Sequence, residues 1–170
     1  MPITLHANGT IEGINNSNFN SSLPVGHVIQ TVYAHSATAE SVAYNGTLSL
    51  TASITPSSTS HNVLVMVTLG LISADSAADT GWNILRDGTA LQQGSGGTTN
   101  ATTGAYTNAG GSYAHSPSLV LLDDEISTTS SVTYSIQGAA NSPRTFVVNT
   151  RGSDDTLRVQ SRITLMEIVA

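Results

Sequence analysis

The sequence predicts an all-β domain, an antiparallel β-sandwich or jelly roll. Three observations predict it: short blocks of alternating or continuous apolar residues, turn-forming residues roughly every 8–12 positions, and no segment with clear helical periodicity. Of the 170 residues, 39% are apolar, 9% are charged and 5% are aromatic. That supply of apolar residues is sufficient for one hydrophobic core, so we expect one globular domain.

Residues 1–24 are predicted to form an extended docking arm that precedes a jelly-roll domain over residues 25–170. The arm is rich in Asn, Ser and Gly, and its few hydrophobic residues cannot support a core of their own. Their irregular spacing argues against an amphipathic helix, so each is predicted to occupy a separate shallow pocket on a partner. These docking residues are Ile3, Leu5, Ile11, Ile14 and Phe19.

The first half of the domain is predicted to contain three strands and one short helix candidate. A strand is expected over 27–33, and strict alternation over 47–55 predicts a strand with one solvated face. Residues 62–72 are apolar on both faces and rich in β-branched side chains, which predicts a central strand. Residues 73–79 are a candidate for one or two helical turns.

The second half begins with the strongest hairpin signal in the chain, Asp87-Gly88, between predicted strands 81–86 and 89–93. Residues 94–111 contain Tyr106 as their one hydrophobic residue larger than Ala and are predicted to be a long exposed loop. Further strands are expected over 118–122, 131–137, 145–149 and 157–169. The apolar phase of the last strand slips after Leu165, which indicates a bulge or two covered faces.

The charged residues exclude several classes of function. Eleven acidic residues stand against five basic ones, and every basic residue is an arginine. Without lysine or cysteine the chain cannot use Schiff-base, P-loop or thiolate chemistry. Dispersed arginines in a chain of net charge −6 predict neither nucleic acid nor an anionic membrane surface as a partner. Neither a secretory signal nor a membrane span is expected.

No catalytic residues and no cofactor are predicted. The five histidines lack the spacing of a zinc signature. The run Asp123-Asp124-Glu125 is a weak calcium candidate because hard cations prefer clustered oxygen ligands, with turn formation as the plainer interpretation. A glycosidase needs two carboxylates about 5–10 Å apart in a cleft, and the sequence leaves that geometry open. Tyr106 and Tyr113 are candidates for contact with a partner protein or a glycan.

Five blocks of residues together resemble a known family. They are Asn62-Val-Leu-Val-Met-Val-Thr-Leu, Leu85-Arg86-Asp87-Gly88-Thr89, Ser116-Pro-Ser-Leu-Val-Leu-Leu-Asp123, Thr129-Ser-Ser-Val-Thr-Tyr-Ser-Ile-Gln137 and Ser161-Arg-Ile-Thr-Leu-Met-Glu-Ile168. In this order they are similar to phage particle proteins best known as the carboxy-terminal knobs of tail fibres in phages of aquatic bacteria. The resemblance implies a jelly roll of the tumour-necrosis-factor type that forms a homotrimer and has no enzymatic activity.

We therefore expect a non-enzymatic structural protein on the surface of a phage virion, made in the cytoplasm of the bacterial host. The arm is expected to dock a homotrimer to other virion proteins, with capsid decoration as the first hypothesis because the chain shows no fibre shaft. A short tail fibre or adhesin that binds a host surface glycan or protein through loop 94–111 is the alternative. A glycan-cleaving enzyme is a remote one. Hydrophobic residues on both faces of 62–72 and 157–169 are expected to lie between subunits.

Overall fold

The computed structural model describes residues 4–5, 11–12, 23–74, 78–95, 100–107, 115–140, 143, 145–151 and 157–170. Within these ranges all regular structure is β-strand and every strand pairing is antiparallel. No helix that could cross a membrane occurs in this part of the chain. The predicted all-β antiparallel fold is thereby confirmed.

The strands are short, and most are separated by tight turns or brief loops. In chain order they are β1 (Thr4–Leu5), β2 (Ile11–Glu12), β3 (Val28–Ser36), β4 (Glu40–Ala43), β5 (Thr47–Ile54), β6 (Asn62–Thr68), β7 (Ile72–Ala74), β8 (Ala78–Arg86), β9 (Thr89–Ala90), β10 (Thr103–Thr107), β11 (Ser118–Asp123), β12 (Val132–Ala140), β13 (Thr145–Val148) and β14 (Ser161–Ile168).

Two main sheets pack face to face as a sandwich. Sheet I has the order β11-β6-β14-β3, and sheet II has the order β10-β8-β12-β5 with β9 also paired to β8. A smaller sheet, β4-β13-β7, has no strand paired with a strand of either main sheet. As predicted for 62–72, β6 lies in the interior of its sheet, although it already ends at Thr68.

The core lies between the sheets and follows from the period of two along each strand. In β5, Leu48, Leu50, Ala52 and Ile54 are buried while the residues between them are exposed, as the alternation predicted. Val63, Val65 and Val67 of β6 face the same interior. Trp82 and Phe146 are both fully buried, with ring centroids 5.2 Å apart at an interplanar angle of 56°.

The hairpin predicted at Asp87-Gly88 is confirmed. Both turn residues have positive φ, 48° and 83°, as a type I′ turn requires. The backbone N–H of Thr133 donates to Asp87 Oδ1 at 2.8 Å, which ties the turn to the neighbouring strand β12. The returning strand is shorter than expected, because β9 comprises only two residues.

The prediction of a short helix over 73–79 is wrong. Residues Ile72–Ala74 form β7 and pair with β13, while β8 begins at Ala78 and pairs with β10. Residues 75–77 lie outside the described part of the chain. Pairing with two different strands supplies backbone hydrogen bonds that a helix of one or two turns could not match, because helix nucleation is costly.

The prediction of a long exposed loop over 94–111 is wrong for the middle of this segment. Residues Thr103–Thr107 form β10, the edge strand of sheet II. A Cβ at Gly81 would lie only 2.5 Å from Cβ of Ala101, so glycine there permits the close approach of the segment that leads into β10. Residues 96–99 and 108–111 lie outside the described ranges.

The phase slip in the last strand has a simple cause. Buried and less buried residues alternate without interruption from Ser161 to Ile168, and the inward position after Leu165 is occupied by Glu167. The expected irregularity is also present, since the register with β3 shifts between Glu167 and Ile168.

Part of the predicted extended arm folds back on itself. The backbones of β1 and β2 pair, with Thr4 opposite Glu12 and Leu5 opposite Ile11. At the start of the domain, Gly26 N–H donates to the carbonyl of Val169 at 2.8 Å, and Val169 N–H donates to the carbonyl of His27 at 3.0 Å. The arm therefore joins the domain beside the end of β14.

Candidate functional site

Two carboxylates, Asp123 and Glu167, lie inside the sandwich in the same row of sheet I. The register places Asp123 opposite Val63, and Val63 opposite Glu167, so all three side chains share the inner face. Asp123 is 2% exposed and Glu167 is fully buried. Burial of an ionisable group is costly unless partners compensate for the lost water, so these two residues are the first candidates for a functional role.

Glu167 accepts hydrogen bonds from four donors. Its Oε1 accepts from the N–H of Ser57 at 2.7 Å, from Oγ of Ser57 at 2.7 Å and from Nδ1 of His61 at 2.8 Å. Its Oε2 accepts from Nε2 of Gln30 at 2.5 Å. Burial raises the pKa of Glu167, but hydrogen bonds from Gln30, His61 and Ser57 outweigh it and hold the pKa below its usual value.

This carboxylate fixes the crossover between the two sheets. Loop 55–61 leads from β5 in sheet II to β6 in sheet I and supplies three of the four donors. The fourth donor, Gln30 on β3, also donates to the carbonyl of Thr55 at 2.8 Å. Glu167 thus joins the crossover to β14 and to the first strand of the domain.

Ser57, His61 and Glu167 are the residue types of a catalytic triad, but their geometry is not that of one. A triad uses Nδ1 of histidine for the carboxylate and Nε2 for the nucleophile. Here Oγ of Ser57 lies 3.4 Å from Nδ1, the nitrogen already bonded to Glu167, and the hydroxyl donates directly to the carboxylate. The histidine therefore cannot relay a proton from Ser57, and the cluster is structural.

Asp123 is held by two neighbouring residues of sheet II. Arg86 donates from Nη1 to both carboxylate oxygens, at 2.7 Å and 2.9 Å, and the hydroxyl of Tyr134 donates to Oδ2 at 2.7 Å. Arg86 and Tyr134 lie opposite each other on β8 and β12. Burial raises the pKa of Tyr134, and its hydrogen bond to Asp123 raises it further. This ion pair joins the two sheets across the interior.

The two buried carboxylates do not form a glycosidase pair. One strand separates them, so their backbones are about 9–10 Å apart. However, Val63 lies between them fully buried, and neither carboxylate is open to a cleft. Since every oxygen already accepts a hydrogen bond from the protein, neither carboxylate is free to bind a sugar or a water nucleophile.

The three residues of the weak calcium candidate do not point to the same side of the sheet. Asp123 points inward to Arg86, whereas Asp124 and Glu125 are exposed. The N–H of Glu125 donates to Oδ1 of Asp123 at 3.3 Å, which is the turn-forming role considered in the sequence analysis. Within the described ranges no three His, Asp or Glu side chains are grouped as metal ligands would be.

Two buried nitrogens in the described part of the chain lack hydrogen-bond partners, Nε1 of Trp82 and Nε2 of His115. Burial lowers the pKa of His115, so the neutral imidazole is favoured. Of the other histidines, His27 and His35 are exposed, and His6 lies outside the described residues.

The remaining predicted contact residues lie largely outside the described ranges. Tyr113 and the arm residues Ile3, Ile14 and Phe19 are among these. Leu5 and Ile11 belong to the β1–β2 ladder, and Tyr106 pairs with Asp79 through the backbone of β10. Tyr106 is therefore part of an edge strand rather than of a loop.

The outer face of sheet I is a broad surface whose strand residues include no carboxylate, although the exposed Asp124 follows Leu122 at the end of β11. Its β11 and β3 edges carry the exposed hydrophobic residues Val120, Leu122, Val28 and Tyr33, and partly buried ones fill the middle. The face consists of Ser118, Val120 and Leu122 from β11, Asn62, Leu64, Met66 and Thr68 from β6, Arg162, Thr164, Met166 and Ile168 from β14, and Val28, Thr31, Tyr33 and His35 from β3. Exposed apolar surfaces of this kind mark interaction sites.

Sequence reasoning missed the buried carboxylates, although the sequence contains a signal for them. Asp123 lies on the same face of its strand as Leu119 and Leu121. Glu167 lies on the same face of its strand as Ile163 and Leu165. When an acid occupies a position that alternation assigns to the buried face of a strand, a buried carboxylate with hydrogen-bond partners is expected. The partners could not be found this way, because they come from distant segments.

No protein-family model matches the chain, and no curated protein is significantly similar to it.

Proposed function

We propose that this protein is a non-enzymatic structural protein of a phage virion surface. It assembles as a homotrimer of jelly rolls and is docked to the particle by its N-terminal arm, as a capsid decoration protein.

The placement of the five resembling blocks carries this proposal. Blocks 62–69, 116–123 and 161–168 contain the neighbouring strands β6, β11 and β14 of sheet I. Blocks 85–89 and 129–137 contribute the paired parts of β8 and β12 in sheet II. Arg86, Asp123 and Tyr134 come from three different blocks and meet in one buried cluster.

The outer face of sheet I supports assembly. A domain that functions alone rarely leaves a sheet face with exposed hydrophobic residues at both of its edges. The absence of carboxylates from the strand residues of this face favours a second copy as the partner, because copies of a chain with net charge −6 repel each other more strongly where acids are exposed.

The interior of the sandwich supports a structural role. Asp123 and Glu167, the two most buried of the acids whose burial the structure describes, join the sheets and the crossover loop. Carboxylates whose oxygens are all bonded within the protein suit a structural component, because they fix how the sheets and the loop are joined.

Deletion of residues 2–22 tests the docking role of the arm. We expect the truncated protein to remain trimeric with an almost unchanged thermal transition, while its incorporation into particles is lost. Incorporation is expected to be lost because the deletion removes all three arms of the trimer, whose joint binding would supply the affinity for the particle. Sedimentation and quantification of the protein in purified particles measure the two effects, and normal occupancy of the truncated protein would show that the domain itself attaches.

Antibody labelling of purified particles tests the location. Signal over the head is expected for a decoration protein. Signal confined to the tail tip would replace this role with that of a tail adhesin.

A further inference from the structure

Loop 55–61 is held to the rest of the domain by hydrogen bonds at one place. Among the described residues, the bonds that join it to other segments all involve Glu167 of β14 or Gln30 of β3. The remaining hydrogen bonds of the loop connect its own residues. Loss of the bonds to Glu167 would therefore leave the loop without a hydrogen bond to β14.

Two of the donors around Glu167 cannot change their role. The backbone N–H of Ser57 has no acceptor capacity, and Nε2 of Gln30 is held as a donor by its second bond, to the carbonyl of Thr55. Ser57 donates to Oε1 and Gln30 donates to Oε2, so a proton added to either oxygen would face one of these two donors. The other bonds would at the same time lose the charge that strengthens them. Protonation of this carboxylate therefore weakens every bond between the loop and β14.

Apolar packing contributes little to holding the loop closed. Pro56 and His61 are its buried side chains, and its other five residues are serines and threonines that are exposed or partly buried. The strands on either side are fixed separately, because Ile54 and Val63 belong to the core between the sheets. A segment with few apolar contacts can open locally at a much lower free energy than the whole domain.

Few charged groups surround Glu167. Within the described residues, His61 is the titratable side chain that contacts it. β3 and β6 place uncharged residues opposite it, and the inward side chains of β5, which packs against β14, are apolar. The next carboxylate of the row, Asp123, lies beyond β6 and is paired with Arg86. Hydrogen bonds hold the pKa of Glu167 below its usual value, so the carboxylate keeps its charge at neutral pH and loses it in acid below pH 4.5.

We propose that Glu167 is an acid-sensitive latch whose protonation releases loop 55–61 from β14 while the two sheets stay packed. The loop is the connection from sheet II to sheet I, so its release gives the crossover freedom to move without loss of the core. Every group involved lies in one copy of the chain, so the latch is independent of the proposed trimer and virion role.

Amide hydrogen exchange of the full chain, resolved by NMR, tests the latch, because the N–H of Ser57 donates to Glu167 in the closed loop. After correction for the intrinsic pH dependence of exchange, we expect the protection of this amide to fall by about tenfold or more between about pH 7 and about pH 3. The fluorescence of Trp82, the single tryptophan and a fully buried one, should stay unchanged over the same range. In Glu167→Gln the Ser57 amide should have lost this protection already at neutral pH, whereas the exposed control Glu125→Gln should behave as the wild type.

Loss of Ser57 protection only together with a change in Trp82 fluorescence would overturn the latch, because the domain would then unfold as a whole. Retention of the protection down to about pH 3 would overturn it too, and so would an equal pH dependence in Glu167→Gln and the wild type. If Glu167→Gln does not fold, the two signals of the wild type decide alone. None of these results bears on the proposed virion role, which the deletion of the arm tests separately.

Discussion

Replacing Glu167 with glutamine removes one charge from the interior and changes little else in size. The new amide oxygen can still accept from Ser57 and His61, but the amide nitrogen takes the place of Oε2 and faces the donor Nε2 of Gln30. Gln30 cannot turn its oxygen toward it without losing its bond to the carbonyl of Thr55. One hydrogen bond is lost, and the remaining ones no longer involve a charge.

The expected cost follows from these bonds. A hydrogen bond to a charged group contributes about 1.5–3 kcal/mol and a neutral one about 1 kcal/mol, so replacing four charged bonds by three neutral ones costs about 3–9 kcal/mol before any compensation. Part of this is returned because the variant no longer buries a charge, and we expect a net loss of about 2–5 kcal/mol. For a domain of this size that corresponds to a melting temperature lower by about 4–20 °C at fixed protein concentration. Urea unfolding at neutral pH measures the difference. Glu125→Gln is the matched control, since the side chain is exposed and its loss should change stability by at most about 0.5 kcal/mol.

Acid provides a second test of the same carboxylate. The pKa of Glu167 is lowered in the folded protein, so the folded state binds this proton less readily than the unfolded chain. Its contribution is therefore fully present above the usual pKa of 4.5 and is lost as the pH falls through the lower folded pKa. The stability difference between wild type and Glu167→Gln should shrink over that range. Equal stability of the two proteins at neutral pH would refute this account of the buried carboxylate.

Three further substitutions test other parts of the structure. Tyr134→Phe removes the hydroxyl bonded to Asp123 and should cost about 1.5–3 kcal/mol in urea unfolding; no loss would show that the bond does not stabilise the fold. Burial lowers the pKa of His115, so the folded protein should lose stability as the pH drops below 6.5. His115→Gln should lose less stability than the wild type between about pH 7.5 and 5.5, and equal losses in the two proteins would contradict this. Val120→Asp should yield folded monomers in sedimentation because it places a carboxylate of each copy on the outer face of sheet I, where the proposed assembly is held together, and a persistent trimer would place the interface elsewhere.

The sequence predicted the elements whose signals are local. Alternation over Leu48 to Ile54 predicted β5, and Asp87-Gly88 predicted the hairpin, because burial on one face and positive φ angles are properties of the residues themselves. It missed β4 and β10, which contain few large apolar residues and exist as strands through pairing with β13 and β8. The helix expected over 73–79 failed for the same reason, since distant partners determine the structure there.

Sheet I has an unusual distribution of charge between its two faces. Its inner face contains Asp123 and Glu167, each with a full set of donors, while the strand residues of its outer face include no carboxylate. A sheet that functions with one face in water would be expected to show the reverse, with acids outside and hydrophobic residues inside. The proposed assembly would account for this arrangement, because a further copy of the chain would then cover the outer face as sheet II covers the inner one. It would also account for Val120 and Leu122, which are hydrophobic at an exposed sheet edge where charged residues normally prevent association.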